Sequence, residues 1–168
     1  MASDIDLLAT TSPSGVSTIV LSTGSGSIAN YRYIDIFGTV FMTGAGGVKM
    51  QFNGDTANNY STAYLEQQPG GIMGWGSGVG ESSTWGAYRG ISGSTDRPLH
   101  FYARIFNPNA TDRNKQTQVR FGNYNEGFNG TYNGLWAVNN AITSITMVTS
   151  SGVNLLAGTN FQVYGIRG

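Results

Sequence analysis

One histidine, His100, and nine carboxylates are the residues of this 168-residue chain that could carry acid–base or metal chemistry, and their spacing assembles neither. A hydrolytic triad needs its base beside an activated serine, and no Gly-x-Ser-x-Gly elbow occurs. His100 falls instead inside a run, Leu99 to Phe106, that reads as a strand. Asp4 and Asp6 form the one closely spaced carboxylate pair, which is too few oxygen ligands for a calcium cage. No other carboxylates are spaced in a strand–loop context as an acid and a base would be. Cysteine is absent, which removes thiolate zinc sites, thiol nucleophiles and disulfides together. The expectation is a protein that is not an enzyme and that carries no metal or cofactor.

Two glycine-rich segments, Gly44 to Lys49 and Gly70 to Gly90, invite a phosphate-loop reading. A phosphate loop needs Lys-Ser/Thr opening a helix. Lys49 is followed by Met50 in an alternating run, and Gly80 by Glu81-Ser82-Ser83. What the second segment does hold is aromatic: Trp75, Trp85 and Tyr88 stand among glycines. Burial in the core is the plainer role for aromatics in such a chain. On an exposed glycine-rich loop they would stack on a sugar or a partner surface, so these three are the candidate partner- or glycan-contacting residues. The sequons at Asn59, Asn109 and Asn129 are what chance gives in a chain this rich in Asn, Ser and Thr.

The elements that must position these residues read as strands, since Gly, Asn or β-branched clusters interrupt every window long enough for a helix. Period-two runs are expected at Val16 to Leu21, Tyr31 to Met42, Val48 to Asn53, Tyr60 to Leu65 and Ser83 to Tyr88. Others are expected at Leu99 to Phe106, Gln116 to Phe121, Leu135 to Val138, Ser144 to Val148 and Phe161 to Ile166, giving nine or ten short strands. The longest carries Ile34, Ile36, Val40 and Met42 on one side with Tyr33, Phe37 and Phe41 on the other, and a strand apolar on both faces wants cover on both. Val48 to Asn53 and Tyr60 to Leu65 read as the two arms of a β-hairpin. Their corner, Asn53-Gly54-Asp55-Thr56, is a structural turn: Asn53-Gly54 supplies positive φ, and Asp55 accepts from nearby backbone amides. Removing that carboxylate is expected on this reading to cost about 1 kcal/mol.

Composition bounds the rest. Charged residues make up 11% and cancel, so no electrostatic footprint for nucleic acid or an anionic membrane is present. With 25 glycines, 3 Trp, 9 Tyr and 8 Phe, the chain has an all-β composition, and few charges are available to discourage edge pairing. A jelly-roll-like antiparallel β-sandwich over residues 15–168 is the expected fold. Residues 1–14 form an N-terminal arm, which lacks the features of a signal peptide and fits synthesis in the host cytoplasm.

Three motifs, Phe52-Asn53-Gly54-Asp55-Thr56, Asn59-Tyr60-Ser61 and Tyr164-Gly165-Ile166, occur in order along Tyr33 to Gly168. In pattern this span resembles a family of small virion proteins of tailed bacteriophages, found as head-decoration and tail or fibre modules. The resemblance implies a jelly-roll-like sandwich, a homotrimer and no catalytic residues. It also implies a place on the capsid surface of the virion, where a decoration (cement) protein binds the major capsid protein of the assembled head and stabilises it. The other class it admits is a carbohydrate- or receptor-binding module of a tail fibre or a lectin-like protein.

Overall fold

Alternating burial runs through nearly every strand, and it fixes a two-layer architecture in this computed structural model, which describes residues 4–21, 28–87, 98–123, 127–150 and 152–168. The described residues form twelve strands: β1 (Ile5–Thr11), β2 (Thr18–Leu21), β3 (Tyr33–Val40), β4 (Val48–Phe52), β5 (Tyr60–Gln68) and β6 (Ile72–Glu81), then β7 (Thr84–Ala87), β8 (Leu99–Phe106), β9 (Lys115–Asn123), β10 (Phe128–Trp136), β11 (Ile145–Thr149) and β12 (Asn160–Ile166). Eight of them make one antiparallel sheet in the order β1-β12-β3-β8-β9-β10-β5-β6, and four make a second in the order β2-β11-β4-β7. The result is an antiparallel β-sandwich of the jelly-roll-like kind expected.

The core lies between the sheets. Ile34, Ile36 and Val40 of β3, Leu99, Ala103 and Ile105 of β8, and Phe161 and Val163 of β12 meet Val48, Met50, Phe52, Ile145 and Met147 of the smaller sheet, all buried. Each such side chain contributes about 1.5–3 kcal/mol of transfer free energy. At the end of this core Phe52, Tyr60 and Trp136 contact one another ring to ring at 5.6–6.3 Å.

Four expectations need correction. Val48 to Asn53 and Tyr60 to Leu65 are not a hairpin: β4 pairs with β11 and β7 in the small sheet, β5 with β10 and β6 in the large one, so the corner carries the chain from one layer to the other. Tyr60 explains why no ladder forms there, because its hydroxyl accepts from the Phe52 amide at 2.9 Å and donates to the Asp55 carbonyl at 3.2 Å. Part of the glycine-rich segment is strand rather than loop. The inward positions of β6 are Gly74, Gly76 and Gly78, and a Cβ on Gly76 would lie 2.7 Å from the Tyr64 hydroxyl, so the ring occupies the space a side chain would need. The described strands number twelve rather than nine or ten. Finally, residues 5–11 of the expected arm pair antiparallel with β12 as the outermost strand of the large sheet.

Candidate functional site

The corner after β4 is a polar knot. Asn53 and Gly54 both have positive φ, 55° and 67°, which turns the chain sharply, and the Asp55 amide donates to the Phe52 carbonyl at 2.9 Å. The Asn53 side chain then reaches the loop before β11: its Oδ1 accepts from the Thr143 amide at 2.7 Å and its Nδ2 donates to the Ala141 carbonyl at 2.8 Å. Asp55 is more heavily used. Its carboxylate accepts from the Ala57 amide at 2.9 Å, from Asn59 Nδ2 at 3.0 Å and from the buried indole Nε1 of Trp136 at 2.7 Å. Burial alone would raise its pKa, but these three donors outweigh it and hold the carboxyl below the usual range. Burial also pushes the Tyr60 phenol up to about 12, so it is a neutral hydroxyl. Thr56 is exposed at the rim.

Among the described residues no three His, Cys, Asp or Glu side chains come together as metal ligands, and no helix is long and apolar enough to cross a membrane. His100 is exposed, and its Nδ1 lies 3.2 Å from Thr39 Oγ1.

Of the aromatic candidates, Trp75 stands on β6 with 81% of its surface exposed, which overturns the expectation of core burial for it. Trp85 belongs to β7, a strand of the other sheet. Tyr88 lies outside the described residues.

The surface that register does assemble is the outer face of the large sheet, away from the smaller one. Cross-strand partners share a face, so the pairings define rows that cross the strands. One row runs Tyr164, Asp35, Arg104, Gln118, Asn133 and Ala63, from β12 to β5, and ends at Ser77 on β6. A second runs Gln162, Phe37, Tyr102, Arg120, Thr131 and Leu65, and ends at Trp75.

The two halves of this face differ chemically. On β1, β12, β3 and β8 it is aromatic and apolar: Phe37 lies between Tyr102 at 5.1 Å and Tyr164 at 5.7 Å, and beside it a depression of about 370 Å³ is lined by Ile5, Asp35, Phe37, Gln162, Tyr164 and Ile166. Asp35 and Arg104 form a two-bonded pair here at 2.7 Å for each bond, with the guanidinium 5.0 Å from the centre of the Tyr33 ring. The hydrogen bonds to Asp35 raise the Arg104 pKa further above its ordinary value, while burial and then the Asp35 charge raise that of Tyr102. On β9, β10, β5 and β6 the face is hollow and mixed: a depression of about 520 Å³ lies between Gln116, Gln118 and Asn133 on one side and Ser61 and Ser77 on the other, with Phe106, Leu135 and Val79 in its lining, and Trp75, Val79 and Leu65 are exposed on this half.

Alternation placed Gln116, Gln118 and Ser61 on strands but left Asn133 and Ser77 outside them, and bringing Gln118 beside Asn133 takes β9–β10 register, which is invisible in a linear pattern. The candidate surface missed by sequence reasoning is therefore this outer face, apart from Trp75 and the aromatic side of β3.

No family model matches the chain, and no curated protein does. A similar solved structure is that of the marine PL-14 alginate lyase from Aplysia kurodai, at 4% identity, with 77% of this chain and 71% of that chain covered and a TM-score of 0.30. A likeness of that degree carries no argument about fold or function.

Proposed function

We propose that the protein is a structural component of a phage virion: a decoration protein that binds the assembled head as a trimer and reinforces it by bridging neighbouring capsid subunits. The observation that carries this reading is the aromatic half of the outer face. Ile5, Leu7 and Phe37 are 55%, 58% and 46% exposed there, around the Tyr102 and Tyr164 rings. A contiguous apolar surface reaching from the outermost strand β1 across to β8 marks contact with another chain. A trimer would cover it and would also give the shell three weak contacts on one rigid body, which multiply as avidity.

Light scattering coupled to size exclusion tests the assembly step. The wild type is expected at the mass of three 17.8 kDa chains, and Phe37→Glu at the mass of one with its melting temperature little changed. Wild type eluting at a single-chain mass throughout the micromolar range would sink the trimer. Cosedimentation with heads that lack the protein tests the function. Binding should survive 1 M salt, where screening shortens to about 3 Å, because the contact is apolar rather than charged. Failure to sediment with heads at any ionic strength would overturn the decoration role.

A further inference from the structure

We infer that the hollow half of the outer face is a binding site for an acidic polysaccharide, one whose sugar rings carry carboxylates. The site would operate beside the capsid contact rather than through it, because it uses β9, β10, β5 and β6, whereas the aromatic cluster around Phe37 lies on β12, β3 and β8.

Three observations point to a sugar. Gln116, Gln118 and Asn133 line the 520 Å³ hollow, and none of these three amides makes a side-chain hydrogen bond with another described residue. Their donors and acceptors are held out by rigid strands toward a space of the size that small-ligand sites occupy, roughly 300–1,000 Å³. The floor is low because Ala63 is small; Ser61 and Ser77 add hydroxyls on the far side, and Phe106, Leu135 and Val79 add apolar surface to the lining. An occupant that donates and accepts hydrogen bonds around its edge and also offers an apolar ring face, as a pyranose does, matches this lining. At the rim, next to Ser77 on the same face of β6, stands Trp75, 81% exposed, an indole platform for the apolar face of a ring. Strands are spaced about 4.8 Å apart, close to the length of one sugar ring. A chain laid along Gln118, Asn133, Ala63 and Ser77 would thus meet roughly one strand per ring.

Charge selects the class of sugar. In the register rows of the outer face Asp35 is the one carboxylate, and Arg104 holds it through both oxygens. Arg104 and Arg120 are the arginines of the face, so two positive charges against one negative leave a surplus of +1. That surplus sits on Arg120, which follows Gln118 on the same face of β9 and makes no ion pair among the described residues. An arginine fork recognises a carboxylate through paired hydrogen bonds.

The test is titration of the intact protein with short oligogalacturonides and with length-matched neutral cello-oligosaccharides, followed by calorimetry and by the side-chain amide signals of the wild type. Saturable binding of the acidic series is expected, with shifts confined to the Gln116, Gln118 and Asn133 amides and affinity about tenfold weaker for the neutral series. Gln118→Ala combined with Asn133→Ala should weaken both series at least tenfold, and Arg120→Gln should abolish the preference for acid. These surface changes should leave the melting temperature unaltered. The wild-type amide shifts decide the question even if a variant fails to fold. No saturable shift in either series up to about 10 mM would overturn the site. Shifts located elsewhere would do the same, and equal affinity for both series would overturn the acidic assignment. None of these outcomes touches cosedimentation with heads, so the two readings fail separately.

Discussion

Replacing Asp55 with alanine is expected to lower the free energy of unfolding by about 3 kcal/mol, measured by urea denaturation near neutral pH. Hydrogen bonds to a charged acceptor are worth about 1.5–3 kcal/mol, and a buried donor left unpaired costs about 1–3. Three donors lose their acceptor at once, and one of them is the indole N–H of Trp136, a residue only 2% exposed. The pH dependence has a definite sign. A carboxyl whose folded pKa lies below its unfolded value contributes stability that is fully present above the unfolded value, about 3.9, and is lost as pH falls through the folded one. The gap between wild type and Asp55→Ala should therefore be constant above about pH 5 and close progressively below pH 4. Calcium or a chelator should leave the wild-type melting temperature unchanged, because both carboxylate oxygens already accept from protein donors. A loss under about 1 kcal/mol, or a gap that persists into acid, would show that the carboxylate does not hold the corner.

Gly134→Ala should destabilise by a similar amount, about 3 kcal/mol, through overpacking. Gly134 is buried on β10, and a Cβ there would overlap Thr84 Oγ1 and Thr117 Oγ1 from β7 and β9. Thr84 and Thr117 are themselves buried, and Thr84 lies 3.4 Å from Thr62 across their hydroxyls, so the layer has no slack through which to relax. Gly122→Ala is the matched control: it lies on the outer face of β9, where the nearest atoms to a new Cβ are 3.9 Å away. Its effect should stay within about 0.5 kcal/mol. If thermal melting shows the two alanines to be equivalent, the threonine layer is looser than described.

Legibility in the sequence followed side-chain volume. Leu99 to Phe106 shows alternating apolar side chains throughout and was readable to the residue. β6 was not, because its inward positions are glycines and its large side chains, Trp75 and Val79, face solvent, the reverse of the usual signal. β10 was readable only at its end, Leu135 and Trp136, since Gly130 and Gly134 blank out the inward positions on either side of Tyr132. Asn53-Gly54 announced a turn correctly, but not that the following strand leaves for the other sheet, a choice made by Tyr60 eight residues on and by Trp136 from far along the chain. The same limit explains the low first estimate for Asp55. Its local partners were legible, while the indole that raises the cost lies 81 residues away.

The pairing of β1 with β12 sets an order in time. These strands are the first and last along the chain, yet they lie side by side, and β12 is also what covers the edge of β3. Until Ile166 has been made, β3 keeps an open edge, and Ile5 and Leu7 have no sheet to join. At roughly 5–20 residues per second, that interval is on the order of ten seconds after β3 is complete. Closing so long a loop is entropically mild, since each doubling costs about 0.6 kcal/mol, but it delays the step. Pulse-labelled hydrogen exchange during refolding should find the amides of β8, β9 and β10 protected before those of β1. Simultaneous protection would mean that, once the whole chain is present, the sheet closes in one event.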